Sequence, residues 1–285
     1  MLSCRILGIL NVTTDSFSDG GRYLATDAAI AHAKTLVADG ADILDIGAQS
    51  SNVDAGLISV DMEWERISRV WDAWNALQSS SSIRTIQNEK AKISIDSFRP
   101  EILRKSMERG LDYWNDITAL NDPSCLEILQ EFSPKIPELI LMFSQNRGQK
   151  ASKESLLDPK TIIDDILFFF EEKRNKLTNL GIPVEKIIYD PGMGFFLGSD
   201  PKLSLTVLKN LTLLRKELGK ILVSVSRKSF LGNILGNIAP ADRNHATLAA
   251  EIWSMQQNVD YIRTHEPKQL NHSKIIINAI QNLKT

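Results

Sequence analysis

Short apolar runs alternate with longer stretches of helical periodicity along the whole chain. Strand-like runs fall at Arg5–Val12, Asp42–Ala48, Lys92–Ser97, Tyr113–Ile117, Glu138–Phe143, Lys186–Asp190, Ile221–Ser226 and Tyr261–His265. Several are rich in β-branched residues and almost continuously apolar, the pattern of parallel strands buried on both faces. Helices are predicted over Thr26–Asp39, Asp61–Leu77, Pro100–Arg109, Pro123–Phe132, Thr161–Leu180, Leu203–Leu218, Asp242–Gln257 and Pro267–Leu283. In the first of these, Ala29, Ile30, Ala33, Leu36 and Val37 form one stripe, and Gly40 stops it. Pro100, Pro123 and Pro267 stand near helix starts, where a missing N–H costs little. This strict alternation of strand and helix predicts an α/β fold of the (β/α)8 TIM barrel type, one domain over residues 1–285; an open doubly wound sheet is the alternative. Two polar segments interrupt the rhythm: the Ser-rich Gln78–Lys90, expected to be a surface loop, and Ser144–Pro159 between the fifth strand and its helix.

The length, 285 residues, suits one such barrel. Thirty-three Lys and Arg against 35 Asp and Glu give a net charge of −2, so no basic field for nucleic acid exists. The most membrane-like stretch, Thr161–Phe170, carries Asp164 and Asp165 and is far shorter than the roughly 18 apolar residues a span needs. Cys4 and Cys125 are the only cysteines, too few for a Cys-rich zinc site, and no CxxC occurs. The first five residues lead straight into a strand without a signal-like apolar region. These features predict a cytoplasmic protein with no nucleic-acid or membrane partner.

Chemistry in a (β/α)8 barrel sits at the carboxyl ends of the strands. The first strand ends in Asn11 and runs into Thr13-Thr14-Asp15-Ser16; the second carries Asp45 and leads to Gly47-Ala48-Gln49-Ser50-Ser51-Asn52. The third ends in Asp96-Ser97, the fourth in Asn115-Asp116, and the fifth runs from Met142 to Gly148. The sixth ends in Asp190-Pro191-Gly192-Met193-Gly194-Phe195, the seventh in Ser226-Arg227-Lys228-Ser229, the eighth in Arg263-Thr264-His265. One Asp before a helix is commonly an N-cap, and one Gly pair a turn. Polar groups delivered by nearly every strand to the same rim outweigh that reading. Lys228, Arg227, Arg263 and His265 make a cationic cluster suited to phosphate or pyrophosphate. Asp96, Asn115 and Asp190 make an acceptor-rich patch that suits a flat heterocycle with N–H donors, such as a pterin or a purine. The metal capacity is oxygen only, from residues such as Asn11 and Asp45, which fits Mg²⁺ with retained waters and not Zn²⁺.

These motifs resemble the dihydropteroate synthase family from Gly8 to about Lys268. The segment Ile9–Gly21 is similar to the family's first signature, with Thr14 where Pro is usual. Asp190–Phe195, Ser226–Gly232, Thr247–Ala250 and Arg263–His265 resemble its later ones. The resemblance implies condensation of 6-hydroxymethyl-7,8-dihydropterin pyrophosphate with 4-aminobenzoate or another aryl amine, in an SN1-like displacement of pyrophosphate. It implies that Asp96, Asn115, Asp190 and Lys228 hold the pterin ring as the catalytic set, and that Asn11, Arg263 and His265 grip pyrophosphate, with Mg²⁺ on Asn11. Phe195, Ser226 and Arg227 would shape the amine pocket, and Asp45 and Ser51 join the substrate-binding residues. A homodimer through late helices is expected, with Trp253 as a candidate contact.

The departures from the family pattern concentrate in the second loop. Asn52 and Val53 stand where Arg and Pro are usual, and the lost guanidinium would have been a bidentate anion partner. Met142-Phe143-Ser144 replaces a Met-His-Met pattern, Phe196-Leu197 replaces Gly-Lys, and Ser224 stands where Gly is common. Two other readings are a non-catalytic pterin-binding relative and a pterin-dependent methyltransferase domain. The pyrophosphate-type cations Lys228, Arg263 and His265 argue against the first, and the Ser226–Ser229 signature against the second. His32, His245 and His272 are expected at the surface or in structural roles, Cys125 in the core, and Trp114 against the helix layer.

Overall fold

The computed structural model describes residues 2–12, 22–49, 56–80, 83–146, 151 and 156–283. Strands β1 (Arg5–Asn11), β2 (Ile43–Gly47), β3 (Lys92–Asp96), β4 (Tyr113–Asp116), β5 (Glu138–Met142), β6 (Ile187–Asp190), β7 (Leu222–Val223) and β8 (Tyr261–Thr264) are parallel, in the order β6-β5-β4-β3-β2-β1-β8-β7. A bridge between Tyr189 and Ile221 joins the two ends of the sheet. The result is a (β/α)8 barrel, as the alternation predicts.

Helices α1 (Arg22–Ala38), α2 (Val60–Ser80), α3 (Pro100–Glu108), α4 (Pro123–Glu131), α5 (Ile162–Asn179), α6 (Pro201–Lys209), α7 (Leu211–Leu218), α8 (Ser229–Ile234), α9 (Asn244–Gln256) and α10 (Pro267–Gln281) surround it. Three features differ from the sequence expectation. The single helix predicted over Leu203–Leu218 is two, broken at Asn210, whose side-chain amide donates to Thr206 O at 2.8 Å. Asn competes for backbone groups in this way and so disfavours a helix interior. The strand predicted to Ser226 ends at Val223, as β7 with the Ile221 bridge before it, and a short helix, α8, follows the rim. The Ser-rich loop starts later, because α2 continues to Ser80.

Side chains alternate across each strand. Ile6, Leu44, Ile95, Trp114, Leu141 and Tyr189 face outward into the main core, where they meet Leu36, Trp74, Phe170 and Leu203 of the helices. Trp71 and Trp74 are buried there as well. Leu7, Ile43, Tyr113, Ile140, Ile188, Leu222 and Tyr261 face inward and form a separate plug inside the barrel. Among the described residues no helix is long and apolar enough to cross a membrane.

Phe143, Phe169, Phe170 and Tyr189 form a chain of edge-to-face rings with centroids 5.0–5.3 Å apart, linking α5 to β5 and β6. Phe170 is fully buried within it. Phe170→Ala is expected to lower the unfolding free energy by about 3–5 kcal/mol, read from the shift of a urea midpoint at constant slope.

Candidate active site

The site follows from one step along the barrel interior. Two residues beyond each member of the inner plug, the side chain again points inward, one layer closer to the carboxyl ends. Ile43 is followed in this way by Asp45, Tyr113 by Asn115, Ile140 by Met142, Ile188 by Asp190, Leu222 by Ser224 and Tyr261 by Arg263. Apart from Met142, and Ile9 after Leu7, these next inward positions are polar, and they do not share one level: register puts Asp45 opposite Ser94, two residues below Asp96. Strand register levels the upper groups: Asn11 pairs with Gly47, Gly47 with Asp96, and Asp96 with Asn115, while Met142 pairs with Asp190.

Arg263 ties these polar groups together. Its Nε donates to Asp45 Oδ2 at 2.5 Å, and its Nη2 donates to Asp96 Oδ2 at 2.7 Å. Asn115 Nδ2 donates to Asp45 Oδ2 at 3.2 Å. Asp45 has no exposed surface. Asp45, expected among the substrate-binding residues, is not among the residues that line the pocket; it is bonded to Asn115 and Arg263, which are.

Asp96, Asn115, Asp190, Lys228 and Arg263 share one pocket with Ile117, Met142, Met193, Phe196 and Ser224. Burial pushes Asp96 up to about 7 against the pull of Arg263, with Asp45 adding to the rise. Burial raises Asp190 to about 6, although its Oδ1 accepts the Gly192 N–H at 2.8 Å. Lys228 falls to about 8 through burial and the nearby Arg263 charge. Its ammonium lies 4.8 Å from the centroid of the Phe196 ring. Burial opposes the charge of Arg263, but Asp45 and Asp96 more than offset it and raise its pKa. The site thus holds acids that ionise with difficulty beside a base that charges with difficulty, the signature of a chemical site.

Backbone conformations aim these groups. Gly192 has φ +74, and a Cβ there would lie 2.3 Å from Phe143 O, so only glycine fits the turn that follows Asp190. After Asn115, Ala119 and Leu120 adopt φ of +54 and +55. Asp116 imposes that turn: its Oδ1 accepts from Thr118 N and Oγ1, both at 2.7 Å, and its Oδ2 accepts from Leu120 N at 3.0 Å. Arg227, φ +59, is pinned by its own N–H donating to Thr247 Oγ1 and by Arg243 Nη1 donating to its carbonyl.

On the other side of the mouth, Ser226 Oγ lies 2.8 Å from His265 Nδ1 and also accepts the His265 backbone N–H at 3.2 Å. The hydroxyl has one proton and two lone pairs, so either partner can donate in this contact; in the tautomer in which Ser226 donates to Nδ1, the ring proton is on Nε2. Burial, with Arg263 and Arg227 nearby, lowers His265 to about 3, so the ring is neutral. Arg227 Nη2 donates to Glu266 Oε1 at 2.5 Å. Asn11 stands exposed at the end of β1. Phe195 is half-buried in the turn Gly194–Phe196, but it is Phe196 that reaches the pocket. Two adjacent phenylalanines leave this choice open in the sequence; the departure at Phe196 is its only signal. Ser51, Asn52, Val53, Arg147 and Thr13–Gly21 lie outside the described residues.

The model of a family described as pterin binding enzyme matches residues 7–265. An Escherichia coli protein named dihydropteroate synthase type-2 is 42% identical over 277 residues, covering 97% of this chain and 96% of that protein. The structure of Xanthomonas albilineans dihydropteroate synthase with 4-aminobenzoic acid superposes with a TM-score of 0.83 at 27% identity, covering 99% of this chain and 94% of the other. That of the Anaplasma phagocytophilum synthase with bound 6-hydroxymethylpterin-monophosphate gives 0.81 at 31% identity, covering 98% and 99%.

Removing Arg263 strands Asp45 as a buried carboxylate. Arg263→Leu is expected to cost about 3–5 kcal/mol in urea unfolding at pH 7, and adding Asp45→Asn should recover much of that loss. Strictly additive losses in the double variant would show that the two side chains do not interact energetically.

Proposed function

The chain belongs to the pterin binding enzyme family and is a transferase of folate biosynthesis; from that premise we propose how its residues divide the work. The enzyme condenses 6-hydroxymethyl-7,8-dihydropterin pyrophosphate with 4-aminobenzoate, giving dihydropteroate and pyrophosphate. The carbon–oxygen bond to pyrophosphate breaks, the aniline nitrogen bonds to that carbon, and the amine releases a proton. The observation that carries this reading is the single pocket in which Asp96, Asn115, Asp190, Lys228 and Arg263 converge.

Asp96 and Asp190, ionised, accept the N–H donors of the pterin ring, with Asn115 beside them. Lys228 donates to the ring's acceptor edge across Phe196. As pyrophosphate departs, the two carboxylates stabilise the positive charge left on the pterin, and they are preorganised for it by strands and by Arg263. The departing anion meets the second Nη of Arg263 and the Nε2–H of neutral His265. Asn11 offers an exposed amide oxygen on the same rung as Asp96, a hard donor of the kind Mg²⁺ takes together with waters and phosphate oxygens. Mg²⁺ held there would offset charge on the leaving pyrophosphate. Asp45, spent on Arg263 and Asn115, is left out of that set. Ser226, Arg227 and Phe195 would form the amine side, where the Arg227 side chain, 36% exposed and paired with Glu266, would meet the carboxylate of the aminobenzoate.

A homodimer is the assembly this surface supports. Leu205, Ile234, Leu235 and Trp253 are 45–51% exposed around an apolar groove of ≈ 790 Å³ formed by α6, α8 and α9. The free, buried thiols Cys4 and Cys125 agree with a cytoplasmic setting.

Purified protein given the pterin pyrophosphate, Mg²⁺ and 4-aminobenzoate should release pyrophosphate and yield a dihydropteroate mass. Pyrophosphate without that mass would reassign the amine; neither product would sink the reading. Lys228→Ala and Asp96→Asn should each lower kcat/KM by roughly 10²–10³-fold; Tm should change little for Lys228→Ala and fall for Asp96→Asn, which removes one of the two carboxylates that compensate Arg263. The pH profile of kcat/KM should be bell-shaped. Activity rises through about pH 6–7, as the Asp96–Asp190 set loses protons and becomes able to accept, and falls above about 8, as Lys228 loses its charge. A profile flat from pH 5 to 9 would contradict these roles.

A further inference from the structure

We infer that Glu63 is a positioning residue for the pterin half of the reaction: reaching from α2 to Ser97, its carboxylate fixes the turn that follows Asp96. The inference rests on the pterin-binding reading above. Glu63 stands in the first turn of α2, where an acidic side chain ordinarily faces water and favours the helix dipole. Here it is turned inward and is 1% exposed.

Ser97 Oγ donates to Glu63 Oε1 at 2.6 Å. Arg99 Nη1 lies 3.2 Å from Glu63 Oε2, while Arg99 Nη2 donates to Ile58 O at 2.6 Å, just before α2 begins. Ser97 Oγ also accepts the Arg99 N–H at 3.3 Å, and the Ser97 N–H donates to Asn115 O at 3.1 Å. The chain leaving β3 is therefore fastened to α2 through side chains and to β4 through the backbone. Neighbouring strand residues point to opposite faces. Asp96 points into the barrel and Ser97 toward the helices, so whatever holds Ser97 outward holds Asp96 inward against Arg263.

Stability alone does not explain the arrangement. Replacing a buried ion pair with well-packed apolar residues is often neutral or stabilising. This one sits a single residue from the acid that lines the pocket. The Glu63 charge also adds to the rise in the Asp96 pKa, which supports their proximity.

The test compares Glu63→Gln, Ser97→Ala and Ser97→Thr in the full chain, with Ile67→Val as a stability control, since Ile67 is a buried α2 residue away from the pocket. Calorimetry with 6-hydroxymethylpterin pyrophosphate gives pterin affinity, steady-state assays give both KM values, and melting gives Tm. Glu63→Gln and Ser97→Ala should weaken pterin binding and raise the pterin KM by roughly ten- to a hundredfold, with the aminobenzoate KM nearly unchanged. Ser97→Thr, which keeps the hydroxyl, should recover most of the loss. Ile67→Val should lower Tm and leave pterin affinity alone. Variants that lose only Tm, as the control does, overturn the inference. A wild-type protein that binds no pterin overturns the functional reading and this inference together. Should Glu63→Gln not fold, the Ser97 pair decides the question by itself.

Discussion

A guanidinium inside a barrel must be compensated, and Arg263 is compensated by carboxylates from two other strands. The planar fork suits this task, because Nε and Nη2 diverge at the angle needed to reach Asp45 and Asp96 together. The consequences spread from there. Asp45 can be fully buried only because Arg263 and Asn115 serve its oxygens. Asp96 is held at the mouth, not free to turn away. β8 is linked across the barrel interior to β2 and β3, which are not its ladder neighbours.

The same burial that requires Arg263 also tunes the groups around it. Asp96, Asp190 and Lys228 share a pocket whose apolar walls are Ile117, Met142, Met193 and Phe196. The walls penalise every charge, so carboxylate and ammonium pKa values converge toward neutrality. In the proposed reaction, a substrate ring that hydrogen-bonds these groups would relieve the penalty, and a positive charge developing on it would meet carboxylates already in place. His265 differs: held neutral by burial and the nearby arginines, it adds no buried charge.

Much of this is legible in the amino-acid sequence. Eight apolar runs read correctly as strands, and the rule that barrel chemistry lies at their carboxyl ends points to Asp96, Asn115, Asp190, Lys228 and Arg263, which do meet in one pocket. The illegible parts have physical causes. Asn210 splits a helix because one side chain competes for one carbonyl, a local event that apolar periodicity does not register. Phe195 and Phe196 are equivalent in composition, and only the turn at Gly194, with φ +63, decides which ring reaches Lys228. Glu63 lies over thirty positions before Ser97, and nothing in its helical context announces that it turns inward.

By itself, the sequence determined the alternation of strand and helix, the residue types at the strand ends, and their order. Those depend on local periodicity and on which side chains can bear charge. Tertiary structure alone decided which of these groups lie at the pocket wall and which beneath it. Asp45 and Asp96 are both acidic strand residues, yet a difference of one layer along the barrel axis makes one a support and the other a pocket-lining group. That layer is set by inter-strand register, a relation between segments distant in the chain, together with the cost of burying a carboxylate without a partner.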